Sequence, residues 1–210
     1  MKNKSLIFFF IIFIFSVLSW NLFANEITFD ATEINISENG DVINAINGTA
    51  ITADKKIKIN AKKFLYNKKK FTLDASDDVS FNDFKEKILI SSDNISYNII
   101  DEVISSTKTS IITDAFGNTI LVENFIYTLK NEFIKLGKTK ITDIENNNYL
   151  IDSAIIDLKS NKLSGKDITI NFDNGSFDVD NEPRLKGVSI IADGNKSIIT
   201  DGVFTTCKRN

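Results

Sequence analysis

The sequence predicts an all-β chain in which short antiparallel strands repeat and stack on one another. Three observations predict it. Apolar and polar residues alternate at period two from residue 26 onward, with no helical stripe between them. Asn- and Gly-containing turn signals separate the alternating runs, and these residues tolerate the positive φ that tight turns need. A six-residue pattern also recurs: "ATEINI" (Ala31–Ile36), "AKKFLY" (Ala61–Tyr66), "SDNISY" (Ser92–Tyr97), "VENFIY" (Val122–Tyr127) and "DSAIID" (Asp152–Asp157). Their last residues are spaced by 30, 31, 30 and 30 positions, and a near-constant period marks a repeat architecture. Each repeat has room for two or three strands of roughly five to six residues with their turns. No such unit buries its apolar face alone, so neighbours must stack.

The elements follow in order. Residues 1–24 begin with Lys2 and Lys4, continue as an apolar run from Leu6 to Leu18 and reach Ala24. Basic start, apolar middle and small residue are the order of a secretory signal helix, cut after Ala24. The rival reading is an uncut membrane anchor with Trp20 at the interface. The body, residues 25–201, starts with the strand carrying Ile34 and Ile36, followed by turn signals at Glu38–Asp41 and Ile46–Thr49. Ile57 and Ile59 alternate toward Ala61, and Phe64 and Tyr66 close the second copy of the pattern. Ile88 and Ile90 form the next pair, then Ile95, Tyr97 and Ile99. A turn at Phe116–Thr119 leads to Ile120, Val122, Phe125 and Tyr127, and the last copy holds Ile155. Beyond it, Ile168, Ile170 and Phe172 alternate, as do Phe177 and Val179, with turns at Asp173–Ser176 and Ala192–Asn195. The stretch Asp180–Gly187 holds the single proline, Pro183, and breaks the rhythm, as a terminal unit or an exit from the stack would. Strand parity places Ile34, Ile36, Ile57, Ile59, Phe64, Tyr66, Ile88, Ile90, Ile95, Tyr97, Phe125, Tyr127 and Ile155 inward. A one-residue slip would turn any of these sets outward.

Composition narrows the function classes. The 210 residues are 42% hydrophobic and 25% charged, enough apolar material for one domain with a core. The net charge of −3 gives no field that would draw nucleic acid. There is no histidine, so the commonest general base and metal ligand is missing, and one cysteine, Cys207, cannot build a thiolate zinc site or an internal disulfide. No metal, cofactor or enzymatic chemistry is expected. Lysine clusters at Lys55–Lys56, Lys62–Lys63 and Lys68–Lys70 read as solvated strand faces. Repeated units enclose one apolar interior: filled, it is the core of a structural or adhesive β-solenoid; parted, it is a trough for an apolar guest.

With these residues in hand, the chain resembles the OstA-like (organic solvent tolerance) domain of the lipopolysaccharide transport family. The segments Gly40–Asn67 and Ser92–Thr107 carry the resemblance, which extends over about residues 26–201. It implies an open, twisted β-jellyroll whose groove holds the acyl chains of lipopolysaccharide, so the inward residues above become lipid-groove candidates. It also implies export to the periplasm, pairing with other OstA-like jellyrolls through edge strands, and association with the cell outer membrane. The tail Asp201–Asn210 resembles the segment leading into the outer-membrane barrel of LptD-type proteins. That likeness makes residues 202–210 the start of a connection to a barrel, with the barrel and its lipoprotein plug as partners. It also offers Cys207 for an interchain or long-range disulfide. LptA- or LptC-type bridge proteins of the same pathway are the alternatives.

Overall fold

The computed structural model describes residues 27–173, 175, 181–194 and 196–208. The expected signal segment, the strand of Phe177 and Val179, and parts of the turns at Asp173–Ser176 and Ala192–Asn195 lie outside the described residues. Among the described residues sixteen strands form one antiparallel sheet: β1 (Ile27–Ser37), β2 (Val42–Thr52), β3 (Ile57–Asn67), β4 (Thr72–Asp83), β5 (Ile88–Asn98), β6 (Val103–Ser106), β7 (Ser110–Thr113), β8 (Thr119–Val122), β9 (Phe125–Thr128), β10 (Phe133–Leu136), β11 (Thr139–Thr142), β12 (Asn148–Asp157), β13 (Lys162–Asn171), β14 (Arg184–Asp193), β15 (Lys196–Thr200) and β16 (Val203–Thr205).

The pairing shows what the thirty-residue period is. β6 and β7 both lie against β5, β9 and β8 lie against them in turn, and β10 and β11 both meet β12. β15 and β16 share β14 in the same way. Each pair of short strands is therefore one long rung broken at its middle, and a repeat is two rungs running out and back. The unbroken rungs bend at the same level. Register skips Thr32 opposite Asn47, shifts between Asn60 and Lys63 and between Ser76 and Val79, and skips Asp152 opposite Asp167. These breaks recur about every fifteen residues along the chain, and together they draw a crease across the whole sheet.

The residues at the crease explain the bend. Asn47 (φ 48°), Asp77 (65°), Asp78 (56°), Asp167 (53°) and Asp201 (50°) sit in the left-handed region, which Asn and Asp enter more readily than other non-glycine residues. Extra or left-handed residues kink a strand and increase its twist. The kink also corrects parity. In β3 the inward residues are Ile57, Ile59 and Ala61 before the crease but Phe64 and Tyr66 after it. Both halves of each rung thus aim apolar side chains into the same space, and the sheet folds into two facing walls.

The walls meet through a single hydrophobic core. Phe29 on one wall packs edge-on against Phe64 on the other at 5.7 Å, and Phe81 packs against Tyr127 at 6.5 Å. At the apex the buried hydroxyls of Ser106 and Ser110 are satisfied, Ser106 by Asn94 Oδ1 (2.9 Å) and Ser110 by Ser92 Oγ (2.9 Å). The open all-β jellyroll expected from the sequence is the arrangement observed. One local expectation is corrected and one alternative decided. The Ile46–Thr49 signal is a crease inside β2 rather than a hairpin turn, since Asn47 uses its positive φ to bend the strand. Of the two readings for the proline stretch, the described residues 181–187 exclude an exit from the stack: Pro183 accepts a hydrogen bond from Phe172 N (3.0 Å), and β14 begins at the next residue. β16 pairs with β14 through Arg184–Lys186.

Candidate functional site

Inside the fold, side chains line up in rows across the rungs. On one wall the register runs Tyr66, Leu73, Tyr97, Ile104, Tyr127, Ile134, Ile156, Leu163. A tyrosine fills alternate rungs as far as β9; the next rung of that set, β12, carries Ile156 instead. The facing row passes from Phe81 through Ile90, Ile112 and Ile120 to Ile141. Rings therefore bridge the walls over the first half of the sheet. Aliphatic side chains reach less far, and the second half, though it buries Ile151, Ile168 and Ile190 in the core, keeps a gap between its walls.

The space that results is a cleft of about 390 Å³, within the range of ligand pockets. Ile88, Ile112, Ile120 and Ile141 line it from one wall, Ile134, Ile156, Leu158 and Leu163 from the other. A further space of about 400 Å³, between Tyr149 and Ile190, shares Ile141, Leu163 and Ala192 with it. The trough thus runs from β5 toward β15. Its floor is aliphatic, and its polar groups stand at the rim: Glu86, Asp114, Asn118, Asn161 and Lys162.

Two loops of like construction form one rim. In the loop after β7, Asp114 Oδ1 accepts the backbone N–H of Phe116 and of Asn118, each at 2.9 Å, and Oδ2 accepts Asn118 Nδ2 at 2.7 Å. In the loop after β11, Asp143 does the same for Glu145 and Asn147. Tyr149 adds its hydroxyl to Asp143 Oδ2 at 3.0 Å, and burial, then that bond, pushes the phenol up to about 12. Each loop holds a large apolar residue in water: Phe116 is 62% exposed and Ile144 73%. The matched spacing of "DAFGN" and "DIENN" was the signal for this pair in the sequence.

At the opposite end of the cleft the walls are tied. Tyr127 Oη on β9 donates to Asp83 Oδ2 at the end of β4, at 2.7 Å, with both groups buried. Asp83 Oδ1 accepts the backbone N–H groups of Lys85 (2.9 Å) and Glu86 (3.1 Å). Burial first, and then the bond to Asp83, raises the Tyr127 phenol well above its ordinary value. Beside it Lys85 bridges Glu132 on the other wall and Glu86 on its own, and the bond to Glu132 contributes most to the raised value of the Lys85 ammonium.

The residues singled out from the sequence fall into three groups. Ile57, Ile59, Phe64, Tyr66, Ile88, Ile90, Ile95, Tyr97, Phe125 and Tyr127 point inward and are buried in the core; of these Ile88 lines the cleft. Ile34 and Ile36 pair with the inward-facing Ala45 and Ile43, yet are 45% and 64% exposed, because β1 is an edge with no rung beyond it among the described residues. Ile155 is a correction: it pairs with Lys135, faces outward and is 42% exposed. The residue level with Tyr127 is Ile156, 29 positions on, so a step of thirty turned the assignment to the wrong face. Ile112, Ile120, Ile134, Ile141, Ile156 and Leu163 also line the cleft and are not among the inward candidates, since alternation gives direction and not depth. The Cys207 thiol is free and exposed. Lys56, Lys62, Lys63 and Lys69 pair with Asp54, Asp78, Asp77 and Asp41 at the surface. Among the described residues no helix is long and apolar enough to cross a membrane, and no group of three His, Cys, Asp or Glu could hold a metal.

No family model matches the chain, and no curated protein matches it. Among solved structures it is similar to LptH of Pseudomonas aeruginosa, the LptA-homologous periplasmic component of that organism's conserved lipopolysaccharide transport device. The likeness has a TM-score of 0.48 at 12% sequence identity, and it covers 54% of this chain and 82% of that one.

Proposed function

We propose that the chain is a non-enzymatic lipid carrier that shelters acyl chains, those of lipopolysaccharide, between its two walls on their way to the outer membrane. The observation that carries the reading is the aliphatic cleft that opens where the tyrosine row ends, with its charged groups confined to the rim. Moving a methylene from water into such a space is worth about 0.8 kcal/mol. A chain of roughly a dozen methylenes thus gains about 10 kcal/mol before the cost of association. A passing guest needs nothing more than this shelter, and the chain offers no histidine for proton transfer.

The sheet's ends support the second part of the reading. β1 pairs only with β2, and β15 and β16 pair only with β14, so each end presents open hydrogen-bonding groups among the described residues. Another jellyroll of the same kind can add there by strand pairing and lengthen the trough. Export to the periplasm follows from the leading segment, and association with the outer membrane from the resemblance of the tail to LptD-type proteins. In that setting a barrel and its lipoprotein plug are the further partners, and Cys207 is available for a disulfide to the barrel. An LptA- or LptC-type place in the same bridge keeps the groove and dispenses with the barrel. The closed first half, filled by Phe29, Phe64, Phe81 and Tyr127, favours a purely structural role for that half.

The test is photo-crosslinking in cells from an unnatural residue at Ile156 or Leu163, with Ile155 as the outward control. Carriage predicts lipopolysaccharide adducts from the first two and none from the third. Adducts to protein alone, or none from the cleft positions, would defeat the proposal.

A further inference from the structure

The structure assigns a role to the tie between the walls: Asp83 and Tyr127, backed by Lys85 and Glu132, form a clasp that sets the inner end of the cleft and so limits the length of chain it admits. This rests on the carriage proposed above. Filling the space at residue 127 needs only a ring, and Phe81 already packs against that ring. The hydroxyl adds direction: it reaches the opposite wall and ends on a carboxylate that cannot swing, because its other oxygen is held by two N–H groups of its own turn. A buried carboxylate adds little stability compared with an apolar pair of the same shape, but it fixes geometry, since any other wall spacing leaves it unsatisfied.

The position of the clasp matters as much as its chemistry. On one side lies the aliphatic cleft, beginning with Ile88 and Ile112. On the other lies a space of about 290 Å³ lined by Thr52, Asp54, Lys56, Glu102 and Glu132. Glu86, in the clasp's own turn, borders both. An acyl chain advancing along the cleft from the β12 side therefore meets the Phe81–Tyr127 rings and, behind them, charged groups it cannot solvate. With the clasp released, the turn between β4 and β5 is free to move away from the turn between β9 and β10, and the two spaces join.

The experiment uses the full chain with Cys207→Ser. Displacement of the fluorophore 1-aminoanthracene by decanoic, myristic and stearic acid is measured for this parent, for Tyr127→Phe and for Glu132→Gln. The parent is expected to gain affinity from decanoic to myristic acid and then level off. In the variants the stearic-to-myristic affinity ratio is expected to rise about tenfold. Equal ratios in the parent and in folded variants would overturn the stop, and so would a change at all three lengths together. Spin labels at Lys87→Cys and Lys130→Cys report the clasp itself: a narrow distance distribution in the parent and a broadened one in both variants are expected, and an unchanged distribution refutes it. A parent that takes none of the acids removes carriage and the stop with it, and the spin-label distances then decide whether the clasp ties the walls.

Discussion

The crease can be tested at Asp167, in the middle of β13, where the backbone φ is 53°. Two substitutions there should differ in their effect on stability. Glycine adopts that φ without steric cost, and against this stands its extra chain entropy of about 0.5–1 kcal/mol. Valine, β-branched and crowded at positive φ, costs about 1–2 kcal/mol. Asp167→Gly should therefore be as stable as the parent within about 1 kcal/mol. Asp167→Val should lose about 1–2 kcal/mol, a fall in Tm of roughly 2–8 °C for a chain of this size. An ordinary strand position has the reverse order, with valine above glycine by about 1 kcal/mol. Thr169, two residues along the same strand and in regular register with Leu150 and Lys186, supplies that control. Thermal unfolding followed by far-ultraviolet circular dichroism reads all four variants. Valine equal to or above glycine at residue 167 would mean that the left-handed residue does not make the bend.

Three further outcomes follow from the packing. At Gly48→Ala the new Cβ would lie less than 3.0 Å from the backbone oxygen of Asp30 and from Ala31, so β1 has to give way. A loss of about 1–3 kcal/mol and faster proteolysis within Ile27–Ser37 are expected, and an intact, protected β1 would contradict the close pairing of β1 with β2. Phe81→Ala removes a ring with 0% exposure between the walls and should cost about 3–5 kcal/mol in urea unfolding; a cost below about 1 kcal/mol would show that the first half is not a packed core. Tyr149 is held neutral up to about 12 against an ordinary value of 10.0, so its contribution to stability is whole below pH 10 and lost as pH climbs through 12. Ultraviolet titration of the phenolate should show that late component and lose it in Tyr149→Phe; ionisation of Tyr149 near pH 10 would mean the phenol is not enclosed.

The all-β build was legible because each rung shows its two faces at period two, as in Ile57 and Ile59 or Phe64 and Tyr66. The crease was not, because a single residue signal serves two ends. Asn-Gly at residues 39–40 closes a real turn after β1, whereas Asn-Gly at residues 47–48 bends β2 in its middle. The difference lies in which strand sits opposite, and that is tertiary information. The cleft was half legible. Inward direction followed from alternation for ten of the thirteen candidates on the buried set, but whether facing residues touch depends on the sum of two side-chain lengths across the gap. Tyr127 against Phe81 closes that gap; Ile156 and Leu163 against Ile120 and Ile141 leave it open. No single-strand pattern holds that sum. Ile155 was lost to arithmetic, since the chain spends 29 residues rather than thirty between equivalent levels there.

The out-and-back order of the rungs has a consequence for how the molecule comes into being. Among the described residues every rung bonds to the one made just before it, as β3 to β2 and β13 to β12, so closing a new ladder takes a short loop, the twelve residues between β13 and β14 being the longest, and never waits for a distant segment. Assembly can proceed like a zip in the order of synthesis, each hairpin templating its successor. The same economy makes length an adjustable quantity: adding or deleting a rung pair of about thirty residues changes the reach of the molecule while leaving the joints on either side chemically as they were.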